Sequence, residues 1–313
     1  MTIKVGYLLP TRERVMADVH ETGPILAWAE KCEAEGLDSV WLGDSLLAKP
    51  RHEPLTLMSA IAARTEKVEI GTAVLLPMLR NPVVMAQQVA TLDQVSEGRI
   101  ILGLGVGHDL PANRAEIQAA GVPFEKRIGT LLEGMRLCKA LWTGEPVDWD
   151  GRWQMQGAVL GPKPYRAGGP PLWGGGGVDA ALKRAGRYWD GWMPSGPDDS
   201  DVFAKGWSEI AGHARAAGRD PGQITGSAYL TLAVGADAGE ANTRINTYLE
   251  TYYNQPADKL RKYQGTFAGT RAAAMKWLQG FVDAGVSHFC LRFVGDHDAN
   301  IELAASMRAE LNA

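Results

Sequence analysis

Short apolar runs alternate along the chain with longer segments whose apolar residues recur every three to four positions. Lys4 to Leu9, Ser39 to Gly43, Val68 to Leu76 and Arg99 to Val106 have strand length and few polar interruptions. Pro171 to Gly174, Gly191 to Pro194, Ile224 to Val234 and His288 to Val294 continue the series. Helical periods fall between them: Pro24 to Glu35 closed by Gly36, then Pro54 to Arg64 and Pro82 to Val95. About eight strand–helix units with near-continuously apolar strands predict a parallel sheet covered on both faces. A single domain over 1–313, folded as a TIM-type (β/α)8 barrel, is the favoured arrangement; a doubly wound open sheet shares the alternation. Two connections are long. Gly107 to Pro170 holds a helix near Glu125 to Leu141 and a hairpin in PVDWDGRWQMQ, and Gly235 to Ser287 holds two helices around a loop from Tyr252 to Gly269. These are insertions after strands 4 and 7, where such barrels place substrate specificity.

Composition changes this picture little but narrows the partners. The 313 residues are 45% hydrophobic and carry a formal charge of −4, enough apolar matter for a large core. Lys and Arg are dispersed, which argues against a nucleic-acid footprint and against a polybasic membrane surface. No apolar stretch approaches the roughly 20 residues of a membrane span. The opening MTIKVGYLLPTRER is too short and wrongly ordered for a signal peptide. Cys32, Cys138 and Cys290 lie far apart in apolar periodic segments, with neither a disulfide framework nor a zinc spacing. The reading is a cytoplasmic protein with reduced thiols. His20, His52, His213 and His288 show no ligand spacing, so no metal is expected.

In a barrel the carboxyl ends of the strands face the active site. Those ends are rich in glycine and apolar residues and poor in titratable groups, which suits a flat, largely apolar cofactor. The sharpest feature is Trp173 followed by Gly174, Gly175, Gly176, Gly177 and Val178, after a strand and before a helix. Four bare backbone positions let N–H groups converge on an anion, a reading we favour over a flexible turn. Gly103 to Gly107 (GLGVG) also ends a strand but lacks the third spaced glycine of a dinucleotide fingerprint. Asp44 closes the VWLGD strand, where it either orients a ring N–H and handles protons or caps the next segment. His108 is a proton donor near neutral pH or a solvated loop histidine. Arg292 is either an anion clamp or the partner of Asp296 or Asp298. Tyr7, Trp173, Met193 and Ser195 are the remaining candidates for the substrate face.

The segment GTAVLLPMLRNPVVMAQQVATLDQVSEGRIILGLGVG resembles the third-to-fourth-strand region of bacterial luciferase-like oxidoreductases, which use flavin or deazaflavin. PLWGGGGVDAALKRAGRYWDGWMPSG resembles their fifth and sixth strands, and VWLGDS their second. The resemblance implies a non-proline cis peptide at Ala73-Val74, as a bulge behind the cofactor ring. It implies a cofactor cradle at Gly174 to Val178 and at Gly105 and Gly107, an FMN-phosphate contact at Arg127, and an acid near the ring at Asp44. Arg127 also reads as an ordinary helix surface charge.

Two departures bear on the chemistry. Deazaflavin-dependent sugar-phosphate dehydrogenases have Asp-His after the second strand, where this chain has Asp44-Ser45, and a glutamate where it has His108; that specific activity is not expected. Many FMN-binding relatives place an arginine where this chain has Val106. That tilts the expectation toward coenzyme F-420, while Arg127 points to FMN. The expected protein is a redox enzyme acting on a small molecule, by hydride transfer or by flavin-peroxide monooxygenation. The alternatives are a non-catalytic flavin-binding paralogue or a barrel enzyme for a phosphorylated substrate without flavin. A homodimer packed through the helix Pro82 to Val95 completes the expectation.

Overall fold

The computed structural model describes residues 2–313. Eight strands form the barrel: β1 (Lys4–Leu8), β2 (Ser39–Leu42), β3 (Glu69–Leu75), β4 (Ile100–Leu104), β5 (Leu172–Gly174), β6 (Gly191–Trp192), β7 (Thr225–Val234) and β8 (His288–Phe293). Their order in the sheet is β7-β8-β1-β2-β3-β4-β5-β6, and β6 pairs with β7 to close it. This is the parallel (β/α)8 barrel, and the open sheet is set aside. Every residue of β2, β4 and β8 is buried, which is why these runs read as unbroken apolar segments.

The chain divides into two compact units, one comprising the residues up to Leu9, Gly23–Trp41 and Leu172–Ala313, the other Pro10–Thr22 and Leu42–Pro171. In the second unit the helix Pro82–Val95 starts where expected. The Asn81 side chain accepts from the N–H groups of Val83 and Val84, and Pro82 sits where no helical donor is needed. The helix Arg127–Leu141 packs against it. Trp142 donates its indole N–H to the Ala86 carbonyl at 3.0 Å, and the Cys138 thiol reaches the Pro82 carbonyl. Buried Asp93 accepts from the Arg166 N–H at 2.8 Å and so ties down the approach to β5. The expected hairpin is present as Val147–Asp150 against Gln154–Ala158.

Two elements depart from the sequence reading. Pro111–Ala119 is a helix within the long connection after β4. Its polar, nine-residue sequence carries too short a period to announce it. Thr266–Gly269, read as loop, is a strand paired with Thr231–Val234 of β7. Because β6 is two residues long and reaches only Thr225 and Gly226, the far half of that β7 edge is left to another partner.

The interior of the first unit is a packed polar–aromatic layer. Trp41 and Trp173 lie 5.4 Å apart between ring centroids, and both meet the His288 ring. Trp41 donates to the Ser39 hydroxyl at 2.7 Å, and that hydroxyl shares a 2.7 Å hydrogen bond with His288 Nε2. Gly6 makes this possible, since a Cβ there would collide with Ser39 and Trp41. Burial pushes the His288 pKa down from the ordinary 6.5 to about 3, so the ring is neutral in the folded protein. Between pH 6.5 and 3 the unfolded chain therefore takes up a proton that the native chain refuses. Stability is full above the unfolded value and falls as pH drops, with a slope approaching ~1.4 kcal/mol per pH unit. Urea unfolding across this range should show a shallower slope in His288→Gln; parallel curves for the two proteins would refute the assignment.

Candidate cofactor and substrate site

The second unit carries the bulge. Register between β3 and β4 runs Ile70↔Ile100, Gly71↔Ile101 and Thr72↔Leu102, then resumes at Leu75↔Leu104, one residue longer on the β3 side. The additional length falls at Ala73-Val74, whose peptide is cis as the resemblance implies. Gly105 lies beside it, and a Cβ at Gly105 would run into the Val74 side chain. Gly107 takes φ +69°, in the left-handed region that favours glycine.

Asp44 secures the end of this bulge. One oxygen accepts the Leu76 N–H at 2.9 Å and Arg80 Nη1 at 2.6 Å, and the other accepts Arg80 Nη2 at 3.0 Å. The carboxylate is 1% exposed. Burial pulls the Arg80 pKa down, but the Asp44 hydrogen bonds outweigh it and hold the guanidinium above its ordinary range. Arg80 also bonds Glu53 at 2.7 Å. With both oxygens engaged, Asp44 is arranged to position the backbone rather than to exchange protons.

Ser45 donates to Glu116 at 2.6 Å, and the same Glu116 oxygen accepts the N–H groups of Leu47 and Ala48. The loop after β2 is thereby fixed, presenting Leu46 and Leu47 to solvent. His108 is exposed at the end of the β4 loop; partial desolvation and, secondarily, the Lys49 cation hold its pKa below the ordinary value. It is neutral at pH 7 and able to accept a proton. Arg127 donates to the carbonyls of Val106 at 3.0 Å and Phe124 at 2.9 Å, and its guanidinium stacks 3.6 Å from the Phe124 ring centroid.

The first unit carries the glycine turn. Gly176 takes φ +90°, its carbonyl accepts the Trp192 indole N–H at 2.9 Å, and Gly177 opens onto free space. The helix Asp179–Tyr188 begins directly after, with Val178 at its cap position offering no side-chain hydrogen bond. The Ala181 and Leu182 N–H groups bond the Val178 carbonyl, so the N–H groups a ligand could meet at this end are those of Asp179 and Ala180. Met193 is buried and donates its N–H to the Gly174 carbonyl; Ser195 is exposed.

Trp173 and Tyr7 lie elsewhere than their sequence position suggested, while Arg292 keeps its place at the strand end without either of the carboxylates considered for it. Trp173 is 4% exposed within the interior layer. Tyr7 points to the surrounding helices, stacked on Phe293 and hydrogen-bonded to His297 Nδ1 at 2.7 Å, while His297 rests on Trp28. Arg292 pairs with neither Asp296 nor Asp298. Asp296 caps the last helix through the Ala299 N–H, and Asp298 bonds Trp28 and Lys31. The sequence reading missed Arg80 and Glu116: no motif marks the first, and the second belongs to the unrecognised helix Pro111–Ala119. Among the described residues no group of three or more His, Cys, Asp or Glu could hold a metal ion, and no helix is long and apolar enough to cross a membrane.

Solved structures share this architecture. An F420-dependent secondary alcohol dehydrogenase in complex with an F420-acetone adduct superposes with a TM-score of 0.82 at 23% identity, covering 98% of both chains. A monooxygenase from Streptomyces bottropensis gives 0.82 at 20% identity over 99% of this chain and 100% of that one. In sequence, the F420-dependent glucose-6-phosphate dehydrogenase of Kineococcus radiotolerans is 30% identical over 94% of this chain and 92% of its own length. The 5,10-methylenetetrahydromethanopterin reductase of Methanolobus tindarius is 31% identical over 70% and 64%. The luciferase-like monooxygenase family model matches residues 3–311. The chain belongs to this family. It is an oxidoreductase of the kind that uses a flavin or a deazaflavin.

Proposed function

We propose that the chain uses coenzyme F-420 and transfers a hydride between it and a small organic substrate, working as one barrel domain over 1–313. The observation that carries the choice of cofactor is Arg127. It is the residue that favoured FMN, and its guanidinium is spent on the chain's own carbonyls and on Phe124. Val106 in the arginine slot of many FMN-binding relatives, and the F420-dependent relatives spanning more than nine-tenths of the chain, support the same reading. The glucose-6-phosphate activity of those relatives is not carried over, because Ser45 and His108 replace the residues it would need.

The residues present fit such a group. Within the second unit, the Ala73-Val74 bulge with Gly105 beside it suits a flat ring; within the first, Gly174 to Gly177 before a helix with no side-chain cap suit a phosphate. When bound, the deazaflavin would supply a hydride acceptor or donor. The chain's own contribution is to hold the bulge in place through Asp44 and Arg80, and to take up a proton at the neutral His108 imidazole. Met193 and Ser195 are assigned to the substrate side.

Titration of the purified protein with coenzyme F-420 and with FMN, followed by fluorescence, tests the reading. Binding of coenzyme F-420 at least about tenfold tighter, or ~1.4 kcal/mol, is expected. Tighter FMN binding would overturn it in favour of flavin-peroxide monooxygenation. We further propose a cytoplasmic homodimer packed through the helix Pro82–Val95, whose Val84 and Val95 are 55% and 45% exposed. Light scattering should then show twice the chain mass, and Val84→Glu should halve it.

A further inference from the structure

Arg292 is fully buried at the carboxyl end of β8, 2% exposed, and its environment is unusual for a cation. Nε and Nη2 both donate to the Thr231 hydroxyl, at 3.0 and 2.8 Å, and Nη2 also reaches the Tyr253 hydroxyl at 3.1 Å. Four tyrosine rings surround the guanidinium, with Tyr252 at 4.8 Å, Tyr248 at 5.3 Å, Tyr229 at 5.4 Å and Tyr253 at 5.5 Å. Ring faces attract the charge but do not neutralise it. No carboxylate among the described residues pairs with Arg292, and Nη1 is buried with no hydrogen-bond partner. A buried cation with an orphaned donor is costly unless an anion completes it.

A second orphan stands in the same row. β8 pairs Arg292 with Thr231, and β7 pairs Thr231 with Thr266, so the three side chains share one face of the sheet. Thr266 is 4% exposed and its hydroxyl also lacks a partner. This face includes Ala233, which packs with Ile245 and Leu249 of the helix Ala238–Tyr253. Tyr248 and Tyr253 of that helix are half-buried and stand between the guanidinium and solvent.

We propose that Arg292 and Thr266 form a subsite for a carboxylate carried by the substrate. The proposal deepens the reading of a barrel oxidoreductase by naming a substrate class: small organic acids. The chemistry favours a carboxylate over a phosphate. One cation is present, two of its three nitrogens are already used, and the free donors are the two N–H groups of Nη1 and the Thr266 hydroxyl. Three donors and one positive charge suit the acceptor sites and single charge of a carboxylate, whereas a phosphate dianion calls for further cations.

The test uses the full chain without cofactor, so that it stands apart from the choice between coenzyme F-420 and FMN. Propionate, butanoate and inorganic phosphate are titrated while thermal unfolding and the near-ultraviolet tyrosine spectrum are recorded. A carboxylate at about 100 times its dissociation constant should raise stability by ~2.7 kcal/mol in the native chain, with a change in the tyrosine spectrum. Arg292→Met should abolish both responses, and the isosteric Thr266→Val should weaken carboxylate binding about tenfold. Should Arg292→Met fail to fold, Thr266→Val alone decides. An unchanged carboxylate response in Thr266→Val, a stronger response to phosphate than to carboxylates, or no response to any of the three would overturn the proposal. Coenzyme binding that survives in Thr266→Val would show that the cofactor reading stands whether or not this subsite does.

Discussion

Asp44→Ala should destabilise the protein by ~3 kcal/mol in equilibrium urea unfolding and lower turnover about 100-fold. Both effects come from one deletion. The variant loses a carboxylate that is 1% exposed and leaves Arg80, itself only 13% exposed, with Glu53 as its remaining charged partner. Breaking one side of such a pair strands a poorly hydrated cation, and the partly exposed Glu53 relieves only some of that cost. It also frees the Leu76 N–H, two residues beyond the Ala73-Val74 bulge, so the strand segment facing the proposed ring loses its anchor. Asp44→Asn retains an acceptor for Leu76 and should lose less of both. An Asp44→Ala variant that unfolds at the same urea concentration as the native chain would show that the ion pair does not hold the bulge.

Gly177→Asp should leave stability nearly unchanged and weaken cofactor binding about 100-fold, on the order of 3 kcal/mol. A Cβ at Gly177 meets no atom within 4 Å, and its φ lies outside the left-handed region, so the side chain is accommodated. An added carboxylate at a helix start is favourable while no ligand is bound. The same carboxylate repels a phosphate seated on the helix N–H groups. Gly177→Ala, equal in backbone restriction but uncharged, should bind close to normally. If the Asp variant binds coenzyme F-420 as tightly as the native chain, the phosphate is seated elsewhere.

The barrel was legible because its strands are buried on both faces and so appear as unbroken apolar runs, as at His288–Phe293. The helix start at Pro82 was legible for a local reason, Asn81 followed by proline. Thr266–Gly269 was hidden because what makes it a strand is the vacant edge of β7, a property of β6's shortness and not of its own residues. The candidate site was half legible. Position along a strand marked Asp44 and the glycine turn, and the family resemblance marked the bulge, but neither could tell which way a side chain faces. Tyr7 and Trp173 both sit on strands and both were assigned to the substrate; one turns to the helices and the other fills the interior. Arg80 escaped notice because its importance lies in a partner 36 residues away.

The paired indoles of Trp41 and Trp173 give the protein an optical signature of its own. Two such chromophores held 5.4 Å apart are close enough to exchange excitation, and a charge gained at the His288 ring would fall on both indoles at once. Eight further tryptophans emit as well, so the pair is read as the difference between the native chain and Trp41→Phe.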